Sequence, residues 1–99
     1  MNAYYYLNFS KGRRISTVCQ LDKMPPLHTN IVFPSNHSEV SGFLRTMVVA
    51  TTVYLGRTSE QDYLVIDLEP IFSIGIEAFI EDQKRVGRFS WQTVSEDVA

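Results

Sequence analysis

Cys19 and the two histidines are the residues whose chemistry best suits nucleophilic catalysis. A thiol becomes a strong nucleophile when a base lies within hydrogen-bonding reach, and His28 and His37 are the two imidazoles in the chain. Cys19, however, falls in an alternating segment on the same face as Ile15 and Leu21. A free cysteine in such a place is usually a small buried hydrophobic residue. The pattern predicts a structural role for Cys19 and no catalytic residue.

Metal and cofactor sites are not indicated either. A zinc site needs three or four ligands, usually with close-spaced pairs, and one cysteine with two well-separated histidines does not provide them. No acidic loop around a glycine resembles a calcium site. The scattered glycines match neither the dinucleotide fingerprint nor the Walker loop. We therefore expect no metal and no cofactor.

Two pairs of carboxylates have a spacing that general acid–base catalysis can use. Asp67 and Glu69 share one face of a strand, and Glu77 and Glu81, four positions apart, share a face of either a strand or a helix. Neighbouring acids raise one another's pKa. Such pairs more often form the solvated side of an amphipathic element, so we expect no enzyme. Glu77, Glu81 and Asp82 instead predict an acidic surface that would suit a basic partner.

Size and composition indicate one ordinary globular domain. The 99 residues are 44% hydrophobic and 20% charged, as is usual for a single folded domain. We expect this domain to span residues 1–94, followed by a frayed polar tail at 95–99. A single cysteine excludes an internal disulfide and favours a reducing, cytoplasmic location. The apolar runs are too short to cross a membrane, so we expect a soluble protein without membrane contact.

The residues that position these groups begin with a predicted β-hairpin. Residues 3–9 read as one strand, Gly12 suits the turn, and residues 13–21 alternate as a second strand. Alternation places one set of side chains in the core: Tyr5, Leu7, Phe9, Ile15, Cys19 and Leu21. Tyr4, Tyr6 and Arg14 are then predicted on the outer face of the sheet.

The later elements are less uniform in pattern. A short strand is expected at 29–33, a strand at 62–68 should pair with 47–55 as a hairpin, and a last strand is expected at 88–94. Residues 36–55 are ambiguous, and we predict a short helix near 36–46 before the strand. Residues 70–86 alternate like a strand, which we take as the prediction. The same residues also form a helical stripe between Pro70 and Gly87, which is the alternative.

Together these elements predict a β-rich α+β fold. We expect an antiparallel sheet of about five to seven strands with one or two helices, curled on itself or closed into a small barrel. An all-β barrel is the alternative.

Charge and aromatic residues converge on the first hairpin. Basic residues exceed acids in residues 1–50, and acids exceed basic residues in 51–99. The predicted partner-binding surface comprises Tyr4, Tyr6, Lys11, Arg13 and Arg14, because tyrosine and arginine are enriched at interface hot spots. We expect a non-enzymatic protein-interaction domain. Its size suggests an inhibitor or modulator of a larger complex, by analogy with small phage and plasmid proteins.

The alternative function is a small β-barrel that binds single-stranded nucleic acid or a nucleotide through the first hairpin, with bases stacked on the tyrosines. The net charge of −2 argues against it, because nucleic-acid-binding domains are usually basic. A homodimer formed through an exposed sheet edge is a further expectation.

Overall fold

The computed structural model describes residues 1–9, 12–35, 46–71 and 75–94. In this part of the chain it contains six strands and one helix. They are β1 (Asn2–Asn8), β2 (Arg14–Gln20), β3 (Asn30–Val32), β4 (Met47–Arg57), β5 (Asp62–Pro70), α1 (Ile76–Val86) and β6 (Gln92–Val94). The predicted β-rich α+β class is confirmed.

One six-stranded sheet holds the domain together, in the order β3-β4-β5-β1-β2-β6. The β1–β2 and β4–β5 hairpins lie side by side, and β1 runs parallel to β5 with Tyr4 beside Val65. The expectation of a wholly antiparallel sheet is therefore wrong. Period-two alternation is the same for both strand directions, so the pattern could not reveal the parallel pair.

Of the two forms expected for the sheet, curled on itself or closed into a small barrel, the closed barrel is wrong for the described part of the chain. Strands β3 and β6 form the two edges and do not pair with each other, so the sheet is open. The hairpin of β4 and β5 is confirmed, with an irregularity in register between Ala50 and Thr52.

Residues 76–86 form a helix, so the strand predicted for this segment is wrong and the alternative is right. Ile76 and Phe79 lie on one helical stripe and are buried against the sheet. Gly87, with φ of 73°, ends the helix and donates its N–H to the Gln83 carbonyl. Burial of this stripe decides between two patterns that the sequence supported about equally. The helix predicted near 36–46 lies almost wholly outside the described residues, as does the tail at 95–99.

The last strand is shorter than expected. β6 covers only Gln92–Val94, and within the predicted strand Phe89 and Trp91 instead pack against the core. The core contains Tyr5, Leu7 and Ile15 as predicted, with Phe9, Cys19 and Leu21 partly buried against it. A group of aromatic rings fills the space beneath the helix: Phe33, Phe79, Phe89 and Trp91.

Polar contacts tie the helix to the chain on both sides of it. The Gln83 side chain donates to the Pro34 carbonyl at 2.8 Å and accepts a hydrogen bond from Trp91 Nε1 at 3.3 Å. Asp82 accepts a hydrogen bond from the Ser35 hydroxyl at 3.1 Å. The helix and its anchors thus cover one face of the sheet. No helix among the described residues has the length and apolarity needed to span a membrane.

Candidate interaction surface

The opposite face of the sheet carries a cluster of four tyrosines. Along β1 the buried side chains of Tyr5 and Leu7 alternate with the half-buried side chains of Tyr4 and Tyr6, which therefore point away from the helix. Alternation in β5 brings Tyr63 to the same face, and Tyr54 reaches it opposite Val65, beyond the register shift between Ala50 and Thr52 in β4. We call this surface, comprising Tyr4, Tyr6, Tyr54, Tyr63 and Arg14, the tyrosine face.

The tyrosine face encloses a shallow groove of about 710 Å³. Besides the four tyrosines and Arg14, the groove is lined by Thr58, Gln61, Val65 and Val94. Tyr4 and Tyr63 pack edge to face, with ring centroids 5.9 Å apart and ring planes at 90°. This favourable geometry for an aromatic pair orients both rings. Tyr54 at the other side of the groove is 48% exposed.

Gly56 allows the Tyr63 ring to occupy its position. The two residues lie directly opposite each other in the β4–β5 pair. A Cβ atom built on Gly56 would overlap the Tyr63 ring, which therefore lies across the backbone of β4 at this point. Because Gly56 has no side chain, the Tyr63 ring can occupy this part of the groove.

Arg14 is held on the tyrosine face by two contacts. Its guanidinium carbon lies 4.6 Å from the centre of the Tyr6 ring, which is a cation–π contact. Its Nη2 atom lies 3.2 Å from Oδ1 of Asp67, a residue paired with Tyr6 across the parallel strands. The carboxylate offsets the charge of the guanidinium, so the groove is nearly neutral at this point.

The predicted partner-binding residues are divided by the structure. Tyr4, Tyr6 and Arg14 come together, whereas Arg13 turns toward the helix and its Nη2 atom lies 2.7 Å from Glu77 Oε1. The hydrogen bond from Arg13 lowers the pKa of the Glu77 carboxyl. Lys11 lies outside the described residues. Tyr54 and Tyr63 were missed. Alternation with the buried Leu64 already indicated the outer face for Tyr63, whereas Tyr54 reaches that face only beyond the register shift in β4.

The predicted acidic surface does not exist as a unit. Glu77 and Glu81 are exposed, and Glu81 pairs with Arg85 at 2.8 Å. Asp82 is only 4% exposed and faces Ser35. The correction follows from the helix: one position advances about 100° around the axis, so Asp82 turns inward while Glu81 stays in solvent.

Cys19 has tyrosine rather than histidine as its neighbour. The thiol is half-buried and hydrogen-bonds with the Tyr5 hydroxyl, while His28 lies in an exposed turn with φ of 65°. His37 lies outside the described residues. Burial raises the pKa of the Cys19 thiol, partly offset by the Tyr5 hydrogen bond, and burial followed by the nearby thiol raises the pKa of Tyr5. A neutral, shielded thiol is a poor nucleophile.

The raised pKa values of Cys19 and Tyr5 predict that the domain loses stability in alkali. The unfolded chain ionises Cys19 above about pH 8.5 and Tyr5 above about pH 10, before the folded chain does. The stabilising contribution is therefore complete below pH 8 and falls as the pH rises. For each group, the free energy of unfolding falls by at most about 1.4 kcal/mol per pH unit, and by less for the part-exposed thiol. Urea unfolding between pH 7 and pH 11 measures this fall. Tyr5→Phe should flatten the fall above about pH 10, and an unchanged profile would contradict the assignment.

The described residues contain no group of three or more histidine, cysteine or acidic side chains placed to hold a metal ion. No known protein family matches the chain, and comparison with curated proteins and with solved structures found no significant match. Function is therefore inferred from the chain's own geometry.

Proposed function

We propose that this chain is a non-enzymatic protein-interaction domain that binds a protein partner through the tyrosine face. The observation that carries the proposal is the gathering of four tyrosines around one groove on the uncovered face of the sheet. Tyrosine offers a large contact area with few rotatable bonds, and both tyrosine and arginine are enriched at hot spots of interfaces. Bringing a partner over this groove would bury the exposed part of each ring.

Charge on the tyrosine face favours a protein over a nucleic acid. Arg14 is paired with Asp67, and Glu69 lies two residues further along the same face of β5. A phosphate backbone is bound by unpaired lysines and arginines, whose contacts release counterions. Arg13, the other described cation of the hairpin, is paired with Glu77. A nearly neutral aromatic groove suits the mixed polar and apolar surface of a protein.

The proposed mode of action, by analogy with other small proteins, is that the domain would cover a surface of a larger complex and thereby inhibit or modulate it. It would work in the cytoplasm, where its single cysteine stays reduced.

Tyr54→Ser is the variant that tests the proposal most cleanly. The Tyr54 side chain is about half exposed and has no ring contact in the described structure, so we expect the fold to be retained. Bait carrying this change should recover at least about tenfold less partner from a host lysate than the unchanged chain, as for a moderate hot-spot residue. Quantitative mass spectrometry of the captured proteins measures the ratio.

Arg85→Ala is the matched control, because Arg85 is exposed on the helix that covers the other face of the sheet. It should leave recovery unchanged. Equal recovery with Tyr54→Ser would contradict binding through the tyrosine face. Fluorescence polarisation with a labelled single-stranded oligonucleotide separates the alternative: salt-sensitive binding that Tyr54→Ser abolishes would favour nucleic acid instead.

A further inference from the structure

Strand β2 is covered along only part of its outer edge. Its inner edge pairs with β1 over its whole length, from Arg14 to Gln20. Its outer edge pairs with β6 only at Arg14, Ile15 and Ser16. Within the described residues, nothing pairs with the outer edge from Thr17 to Gln20, because the chain before β6 leaves the sheet and packs Trp91 and Phe89 into the core.

The direction of each backbone group in β2 follows from the hydrogen bonds at the two ends of the hairpin. Phe9 donates to the Arg13 carbonyl, and Leu21 donates to the Met1 carbonyl. In an antiparallel pair, hydrogen-bonded positions alternate, so the odd-numbered residues of β2 bond to β1. Arg14 and Ser16 therefore face β6. The N–H and C=O groups of Val18 and Gln20 face outward, where no described strand meets them.

The free stretch of this edge, Thr17 to Gln20, is short, but it lacks the other features that normally protect a sheet from pairing with another chain. Natural edges carry charged residues, prolines or bulges, or are very short. Residues 15–21 contain no charged residue and no proline, and Val18 is 53% exposed. The opposite edge differs: β3 has three residues and lies between Pro26 and Pro34.

We propose that two copies of this chain associate by pairing their β2 edges antiparallel, centred on Cys19. In this register Val18 of each copy lies opposite Gln20 of the other. Each such pair exchanges two backbone hydrogen bonds, roughly four in all. The occupant is a second copy because the outward groups are self-complementary about a two-fold axis, as an isologous dimer requires. Val18 lies beside Tyr4 in the β1–β2 pair, but the pairing uses backbone groups at the sheet edge and does not depend on the partner proposed above.

Val18→Pro tests the pairing through a single backbone group. Proline removes the outward N–H, which β1 does not use, and prolines are tolerated on sheet edges. The change removes half of the interchain hydrogen bonds, so the dissociation constant should rise about thirtyfold. Val18→Thr keeps the N–H and the branched shape of the side chain, and should leave the dissociation constant unchanged. Sedimentation velocity from about 10 µM to about 1 mM covers the range expected of so small an interface.

Amide hydrogen exchange followed by NMR gives a second readout. In dilute protein the Thr17 and Cys19 amides should be protected by β1, while those of Val18 and Gln20 exchange rapidly. At high concentration the Val18 and Gln20 amides should become protected, and Val18→Pro should remove the protection at Gln20. A chain that stays monomeric at 1 mM, a dimer equally stable in Val18→Pro, or Val18 and Gln20 amides protected at every concentration would each overturn the proposal.

Discussion

Phe79→Ala is expected to lower the free energy of unfolding by about 3–5 kcal/mol, as truncation of a buried phenylalanine usually does. Phe79 is fully buried on the inner face of the helix. Its ring centroid lies 5.4 Å from that of Trp91 and 6.3 Å from that of Phe33, so the variant loses contacts with the segments on both sides of the helix. The cavity would also remain partly unfilled, because the sheet beneath it cannot move inward. Urea unfolding followed by fluorescence measures the change, since Trp91 is the single tryptophan.

Phe79→Leu is the matched control, because it keeps most of the volume and should cost about 1–2 kcal/mol. An exposed position on the same helix offers a second control: Lys84→Ala should change stability by less than about 0.5 kcal/mol. A loss below about 1 kcal/mol for Phe79→Ala, well under the usual range, would mean that the helix does not pack on the sheet as described.

Gly56→Val is expected to destabilise the fold by about 1 kcal/mol, at the lower end of overpacking effects, because the half-buried Tyr63 ring can turn aside. Valine is otherwise well suited to a strand and glycine poorly suited, so propensity alone predicts a gain. The loss arises because the new side chain overlaps the Tyr63 ring opposite it. The ring must leave its place against Tyr4, which also changes the groove. Urea unfolding and partner recovery should therefore decline together.

A double-mutant cycle with Tyr63→Ala isolates this cause. Once the ring is absent, Gly56→Val should be neutral or stabilising by about 0.5 kcal/mol, because only strand propensity remains. The sign of the effect thus reverses with the residue opposite. A destabilisation of equal size in both backgrounds would show that Gly56 is required by the backbone of β4 and not by the Tyr63 ring.

Local alternation was enough to predict the first hairpin and the orientation of its side chains. Ile15 and Leu7 are buried, and Tyr4 and Tyr6 lie on the opposite face, as the pattern indicated. Each of these predictions depends only on which residues are neighbours in the same strand. The hairpin of β4 and β5 was equally accessible, because a short loop joins two strands of clear composition.

The helix at 76–86 shows where local pattern was insufficient. Its hydrophobic residues fit a stripe of period 3.6 and an alternation of period two, but only the helical stripe buries Phe79 together with Ile76, because the alternation puts Phe79 on the face of Glu77. The helix is formed because Phe33, Trp91 and the sheet together provide a broad apolar surface for one stripe. Asp82 was misplaced for the same reason, since its direction depends on the helical turn.

By itself, the sequence determined which faces of β1 and β5 are apolar, and hence that Tyr4, Tyr6 and Tyr63 would point away from a core. Tyr54 has the same parity as the buried Val48 and Ala50, and it reaches the outer face only because the register shifts between Ala50 and Thr52. Only the tertiary structure decided that the four tyrosines meet on one surface. That meeting requires β1 to lie parallel beside β5, and it requires Gly56 to lie opposite Tyr63. Side-chain alternation is a property of one strand, whereas the partner and direction of a strand are set by contacts between residues about sixty positions apart.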